Sequence, residues 1–143
     1  MLFARKQRLI NRLLIVEDEP LVAFDNEHAL GEAGYHVVAT VDRFHDAMAV
    51  IEAGEIDLIL SDVALSGEQD GVHLARTVRP LGIRLLFVTG SCPLDAPDLS
   101  IGCLAKPYPQ RDLIDSLAAL ELALAGKRPK RMPAGLSLYS PLP

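Results

Sequence analysis

Cysteine is scarce in this sequence: Cys92 and Cys103 are the only two in 143 residues. Two are too few for a disulfide-built scaffold, so a reducing cytoplasm is the expected setting, with both thiols free. No apolar run approaches the length that spans a membrane, although half of the residues are hydrophobic, so the chain reads as soluble and globular with no membrane partner. The start, MLFARKQRLINR, is basic but lacks the continuous apolar stretch and cleavage site of a secretory signal. There is no internal repeat. The four histidines, His28, His36, His45 and His73, fall on separate elements without metal-ligand spacing and read as surface or packing residues.

Acid is missing from both ends. Residues 1–12 carry Arg5, Lys6, Arg8 and Arg12 and no acid, and residues 127–143 carry Lys127, Arg128, Lys130 and Arg131 and no acid. All 19 acids therefore lie in 13–126, beside six Lys or Arg. Such a body repels nucleic acid and suits a metal cation or a basic protein surface. The basic ends read most simply as solubilising tails.

What is present is an alternation of short apolar runs and amphipathic stretches. Strands are expected at 12–17 (RLLIVE), 36–40 (HVVAT), 57–62 (DLILSD), 83–90 (IRLLFVTG) and 103–106 (CLAK). Helices are expected from Pro20 to Ala33, over 44–54, over 72–78, and from Pro109 to Ala125, with proline in the first turn and glycine at the end where each occurs. Strand–helix alternation implies right-handed βαβ units and a parallel sheet. The expected fold is α/β, a doubly wound, five-stranded parallel sheet of flavodoxin-like type. Only 16 residues separate Thr89 from Lys106, and they include Pro93 and Pro97, so the fourth helix is expected to be short or absent. Residues 1–11 form a basic extension and 12–126 the domain. The tail 127–143, with four prolines and no periodicity, is expected to be disordered.

In such a sheet, ligands bind at the carboxyl ends of the strands. Strand one runs into Glu17, Asp18 and Glu19; strand three ends at Asp62; strand four ends at Thr89 and Gly90; strand five ends at Lys106. Two like charges about 4 Å apart repel by roughly 4 kcal/mol at an effective dielectric near 20. A cluster of three carboxylates therefore calls for a hard cation, and Mg²⁺ takes such oxygen ligands. With it, an aspartate can accept a phosphoryl group, while lysine and hydroxyl neutralise the phosphoryl oxygens. Bland readings exist for each residue singly: Glu19 or Asp18 as a helix cap, Asp62 as a turn residue, Thr89-Gly90 as a plain turn. Their joint occurrence at matching strand ends points to a site.

These residues carry a resemblance. IVEDEP, LILSD ending in Asp62, FVTG with Thr89, and AKPY with Lys106 resemble the receiver domain of bacterial two-component response regulators, over about residues 12–126. FVTGS and DVALSGEQDG look more specifically like the single-domain group whose fourth strand reads F-A-T-G, familiar from alphaproteobacterial signalling. The resemblance implies that Asp62 accepts phosphoryl from a histidine kinase or a histidine phosphotransfer protein. It implies that Asp18, Asp62 and the backbone carbonyl of Ala64 bind Mg²⁺, with Glu17 reaching it through water. Thr89 is then the switch hydroxyl, Gly90 allows close backbone approach, and Lys106 pairs with the phosphoryl group. Many receivers carry an aromatic residue three positions before the lysine; here Cys103 stands there, and Tyr108 lies beyond the lysine. Ser66 replaces a common proline, in a loop one residue longer than in chemotaxis-type receivers.

The expected function is a single-domain response regulator that acts through protein contacts, with slow self-dephosphorylation rather than enzymatic turnover. With 17 residues after Gly126, no DNA-binding module is expected to follow. A receiver-shaped scaffold that is never phosphorylated is one alternative. A phosphatase with an aspartyl nucleophile is another, opposed by Ala64 where a second aspartate would serve as acid. A flavin module is disfavoured by the acidic loop after strand one. The last helix carries Leu113, Ile114, Leu117, Ala118, Leu120, Leu122 and Leu124, a wide stripe that serves the core, the N-terminal extension or a second copy in a homodimer.

Overall fold

The computed structural model describes residues 8–139. In chain order the elements are β1 Arg12–Val16, α1 Pro20–Glu32, β2 His36–Val41, α2 Phe44–Ala53, β3 Leu58–Ser61 and α3 Gly71–Val78. After the short 3₁₀ turn Arg79–Leu81 come β4 Arg84–Thr89, α4 Ala96–Leu99, β5 Gly102–Ala105, α5 Gln110–Leu124 and β6 Leu136–Leu138. The sheet order is β2-β1-β3-β4-β5-β6. The first five strands are parallel, as the alternation requires, and β6 runs antiparallel to β5.

Alternation along each strand sorts the core into two layers. Leu13 and Ile15 of β1, Leu58 and Leu60 of β3, and Leu86 and Val88 of β4 face α1 and α5, where Leu30, Leu113, Leu117 and Leu120 meet them. Leu14, Val16, Ile59, Leu85, Phe87 and Cys103 face the other way, against Ala47 and Ile51 of α2, Leu74 and Val78 of α3, and Ala96 and Leu99 of α4. Both faces are covered, which explains why the central strands are apolar throughout.

The fourth helix is short, a single turn of four residues. The carboxy-terminal segment departs from the expected disorder. Leu136–Leu138 pair with β5, with Leu104 opposite Leu136 and Gly102 opposite Leu138. Leu136 is buried in the α1–α5 layer, and Leu138 packs against it. Proline content concealed this strand, because three residues are too few to show a period. Gly102 accommodates the pairing: a Cβ there would lie 2.5 Å from the Ser137 carbonyl oxygen. Residues 140–143 of the tail lie outside the described residues, as do residues 1–7 of the basic extension.

Most of the wide stripe on α5 is used within the chain, although Ala118 is exposed and Leu122 lies outside the buried cluster. Leu113, Leu117 and Leu120 are buried, and Ile114 and Leu124 pack on the same cluster as Leu136 and Leu138. The N-terminal extension also docks here: the Leu9 and Ile10 amides donate to the Glu121 carboxylate at 2.8 and 3.0 Å. Arg8 is not a free solubilising charge. Its guanidinium lies 4.3 Å from the centre of the Tyr35 ring and donates to the Ala33 carbonyl at the end of α1. No helix among the described residues is long and apolar enough to cross a membrane.

Candidate functional site

The carboxyl ends of β1 and β3 lie side by side, because the Asp62 amide donates to the Val16 carbonyl at 3.0 Å and continues the ladder. That register sets Glu17 and Asp62 together, with Asp18 next to them. Carboxylate oxygens of Glu17, Asp18 and Asp62 lie within 4.8 Å of one another. Glu17 and Asp62 are nearly buried, at 4% and 6% exposure, and Asp18 is half-buried. Lys106 arrives from the end of β5, where its amide donates to the Thr89 carbonyl at 2.8 Å. Its ammonium bridges the two buried acids, 2.6 Å from Glu17 Oε1 and 2.8 Å from Asp62 Oδ2. The other Asp62 oxygen accepts from the Val63 amide at 2.7 Å.

The charges are unbalanced. Burial raises the Glu17 pKa, against the hydrogen bond from Lys106. Burial works against the Lys106 ammonium, but the hydrogen bonds and charges of Asp62 and Glu17 more than offset it, and its pKa is raised. One ammonium faces three acids. Hard oxygen donors converging on one point, with a charge deficit, fit a divalent cation of the Mg²⁺ kind. Glu19 does not cap α1 with its side chain, contrary to one bland reading. Its amide instead donates to Glu17 Oε2 at 3.2 Å, orienting the carboxylate, while its own side chain is exposed.

Asp62 is held from below by α3. The Gly71 amide donates to the Val63 carbonyl at 2.7 Å, and a Cβ on Gly71 would run into the Asp62 carbonyl oxygen. Asp70 caps α3 by accepting from the His73 amide at 2.9 Å. Ala64 stands two residues beyond Asp62 in the loop that leads there. Thr89 is buried at the end of β4, and its hydroxyl oxygen accepts from the Ser91 amide at 3.4 Å. Gly90, beside it, is exposed.

Two residues near the lysine are placed differently from one another. Tyr108 is turned toward α1: its hydroxyl donates to Asn26 Oδ1 at 3.1 Å, its ring packs in the α1–α5 layer, and burial raises its pKa. Cys103 is fully buried on the opposite layer and is bonded to Cys92, with Cα atoms 6.2 Å apart. The expectation of two free thiols is therefore corrected. The one-turn α4 lets the loop after β4 fold back over β5, which brings together two cysteines that their spacing alone did not pair.

Sequence reasoning also missed Asn26, which is buried on α1 and accepts from both Tyr108 and Gln110. A polar residue one turn from helix-face apolars gave no distinguishing signal. Together with Glu19, Gly90, Lys106 and Pro107, these residues line an open cleft beside the acidic cluster. The Lys106–Pro107 peptide is cis.

Comparison with known proteins agrees with this geometry. The family model described as the response regulator receiver domain matches residues 13–118. The response regulator receiver protein CpdR of Brucella abortus is 29% identical over 123 residues, which cover 80% of this chain and 99% of CpdR. The transcriptional regulatory protein PdtaR of Mycobacterium tuberculosis is 30% identical, over 80% of this chain but 57% of PdtaR. A transcriptional regulatory protein of Bacillus subtilis, YbdJ, is 32% identical over 72% of this chain and 47% of its own length, so the chain spans about half of the longer relatives. Among solved structures, SdrG from Sphingomonas melonis superposes with a TM-score of 0.67 at 33% identity, covering 80% of this chain and 98% of SdrG. A match over most of the chain, on a sheet whose strand ends carry the acid cluster and its lysine, makes this chain a member of the response regulator receiver domain family.

Proposed function

We propose that Asp62 accepts a phosphoryl group from a phosphohistidine on a histidine kinase or phosphotransfer protein, in a Mg²⁺-dependent reaction, and that the phosphorylated chain signals by contact with another protein. The observation that carries this reading is the Lys106 ammonium seated between Glu17 and Asp62, with Asp18 alongside. Glu17, Asp18, Asp62 and the Ala64 carbonyl would hold the ion. Bound there, it supplies positive charge to the phosphoryl oxygens and removes the repulsion among the acids.

The remaining chemistry belongs to the side chains. One Asp62 oxygen attacks phosphorus as the phosphorus–nitrogen bond of the phosphohistidine breaks, so no proton need leave the nucleophile. The Val63 amide holds the other oxygen and fixes the carboxylate plane. Lys106 is already in contact with the nucleophile and follows the new negative charge onto the phosphoryl group. Thr89, at the end of the neighbouring strand, would donate its hydroxyl proton to the same oxygens, a proton left free because its oxygen only accepts from the Ser91 amide. Gly90 presents no side chain to obstruct them. Ala64, two residues past Asp62, provides no acid or base for rapid hydrolysis, so a lasting phosphoprotein is expected rather than turnover.

Incubation with acetyl phosphate and Mg²⁺, followed by intact mass measurement, tests the assignment. The wild type should gain one phosphoryl group and Asp62→Asn none. Equal labelling of both, or of neither, contradicts it.

A further inference from the structure

We propose that Cys92 and Cys103 form a reversible thiol–disulfide modification site that governs how far the loop after β4 can respond to a phosphoryl group on Asp62. The inference rests on the reading of Asp62 given above and concerns the regulation of that same site. The two sulfurs sit at matched distances from it along the chain. Cys92 follows Thr89 by three residues, and Cys103 precedes Lys106 by three. Between them the strands are in register, with Phe87 opposite Cys103 and Thr89 opposite Ala105, and the Lys106 amide bonds to the Thr89 carbonyl. The disulfide closes residues 92–103 into a covalent loop, and just outside its two ends, three residues from each cysteine, stand Thr89 and Lys106, the two groups expected to meet the phosphoryl oxygens.

Little else restrains the segment that the bond holds. Residues 90–95 belong to no helix or strand, α4 beyond them is one turn, and Leu94 is fully exposed. The Arg76–Asp95 ion pair at 3.3 Å is exposed and adds little. In the oxidised chain the backbone from Thr89 to Cys92 is tied at both ends. Its span is only three residues, so the Ser91 amide stays over the Thr89 hydroxyl. In the reduced chain only the β4 end is fixed, and the hydroxyl can leave that amide.

The chemistry is directional because the two sulfurs differ in access. Cys92 is exposed and Cys103 is fully buried. A low-molecular-weight thiolate attacks the Cys92 sulfur, the Cys92–Cys103 bond breaks, and Cys103 leaves as the thiolate and takes up a proton. A second thiol attacks the outer sulfur of the mixed disulfide and releases Cys92, so two thiols become one small disulfide. Oxidation runs the reverse course. The Cys92 thiolate displaces one half of a small disulfide, and Cys103 displaces the other half from Cys92, leaving two small thiols.

The test uses oxidised and reduced full-length protein and Cys92→Ser, an exposed substitution. Oxidised glutathione should convert the reduced wild type to a form that resists alkylation at both cysteines; alkylation of both afterwards would overturn the proposal. Hydrogen exchange across residues 89–95 is then compared with and without Mg²⁺ and beryllofluoride, a phosphoryl mimic. The reduced wild type and Cys92→Ser should change at least about fivefold in rate, and the oxidised protein less than about twofold. Equal responses in both redox forms, with acetyl phosphate still labelling Asp62, would overturn the redox coupling alone. No response and no labelling in any form would overturn the reading of Asp62 and this inference with it.

Discussion

The ammonium of Lys106 is the residue on which the electrostatics of the cleft turn. It touches Glu17 and Asp62 at 2.6 and 2.8 Å, and both acids are nearly buried. Replacing it by methionine keeps an unbranched side chain, one atom shorter, and removes the charge, leaving two buried carboxylates without a counter-ion. Breaking a buried pair in this way costs of the order of 3 kcal/mol. The melting temperature of Lys106→Met without Mg²⁺ should therefore fall by several degrees. Saturating Mg²⁺ should raise it by more than it raises the wild type, because in the variant the cation does not compete with an ammonium. A Mg²⁺ effect equal in the two proteins would show that the lysine and the ion do not share the same acids. At this scale the sequence was informative. The sequence puts Glu17, Asp18, Asp62, Thr89 and Lys106 at strand ends, and the structure brings Glu17, Asp18, Asp62 and Lys106 together there, since a parallel sheet leaves few other places for polar residues to converge. Asn26 and the Cys92–Cys103 bond were not legible, because each depends on how a loop or a helix face is turned.

At the scale of elements, the start of α3 determines where Asp62 stands. A Cβ on Gly71 would meet the Asp62 carbonyl, so Gly71→Ala must shift either the helix or the end of β3. Overpacking of this kind costs about 1–3 kcal/mol. Gly31 offers the control: it lies in α1 with nothing within 4 Å of its Cβ position, and Gly31→Ala should be neutral or stabilising by up to about 1 kcal/mol. Urea unfolding of the two variants checks both signs, and similar midpoints would refute the packing account. Element boundaries were legible to within one or two residues wherever proline or glycine punctuated them, as at Pro20, Gly34 and Gly54. The short α4 was read from its two prolines. The strand β6 was not, because its order comes from edge pairing with β5 rather than from any period of its own.

For the whole molecule, charge distribution is the governing property. Residues 13–126 hold all 19 acids against six Lys or Arg. Phosphate backbones require clustered cations, and Arg8 and Arg12 are already engaged with Tyr35, Ala33 and Glu55. Fluorescence anisotropy of a labelled DNA duplex should stay flat at micromolar protein and physiological salt, phosphorylated or not. A salt-dependent rise would show that the basic ends, residues 1–12 and 127–143, bind phosphate backbones. The doubly wound architecture was legible at this scale because both-face burial makes the central strands uniformly apolar.

The antiparallel β6 gives β5 ladder partners on both flanks, with β4 on one side and the Ala105 amide bonded to the Gly135 carbonyl on the other. A lysine rooted at the end of so braced a strand has a stationary pivot. Its charged tip can swing only through the arc its own methylene chain permits, so on the proposed reading the charge would pass from Asp62 to an incoming group by bond rotations within one side chain, without any sliding of the sheet.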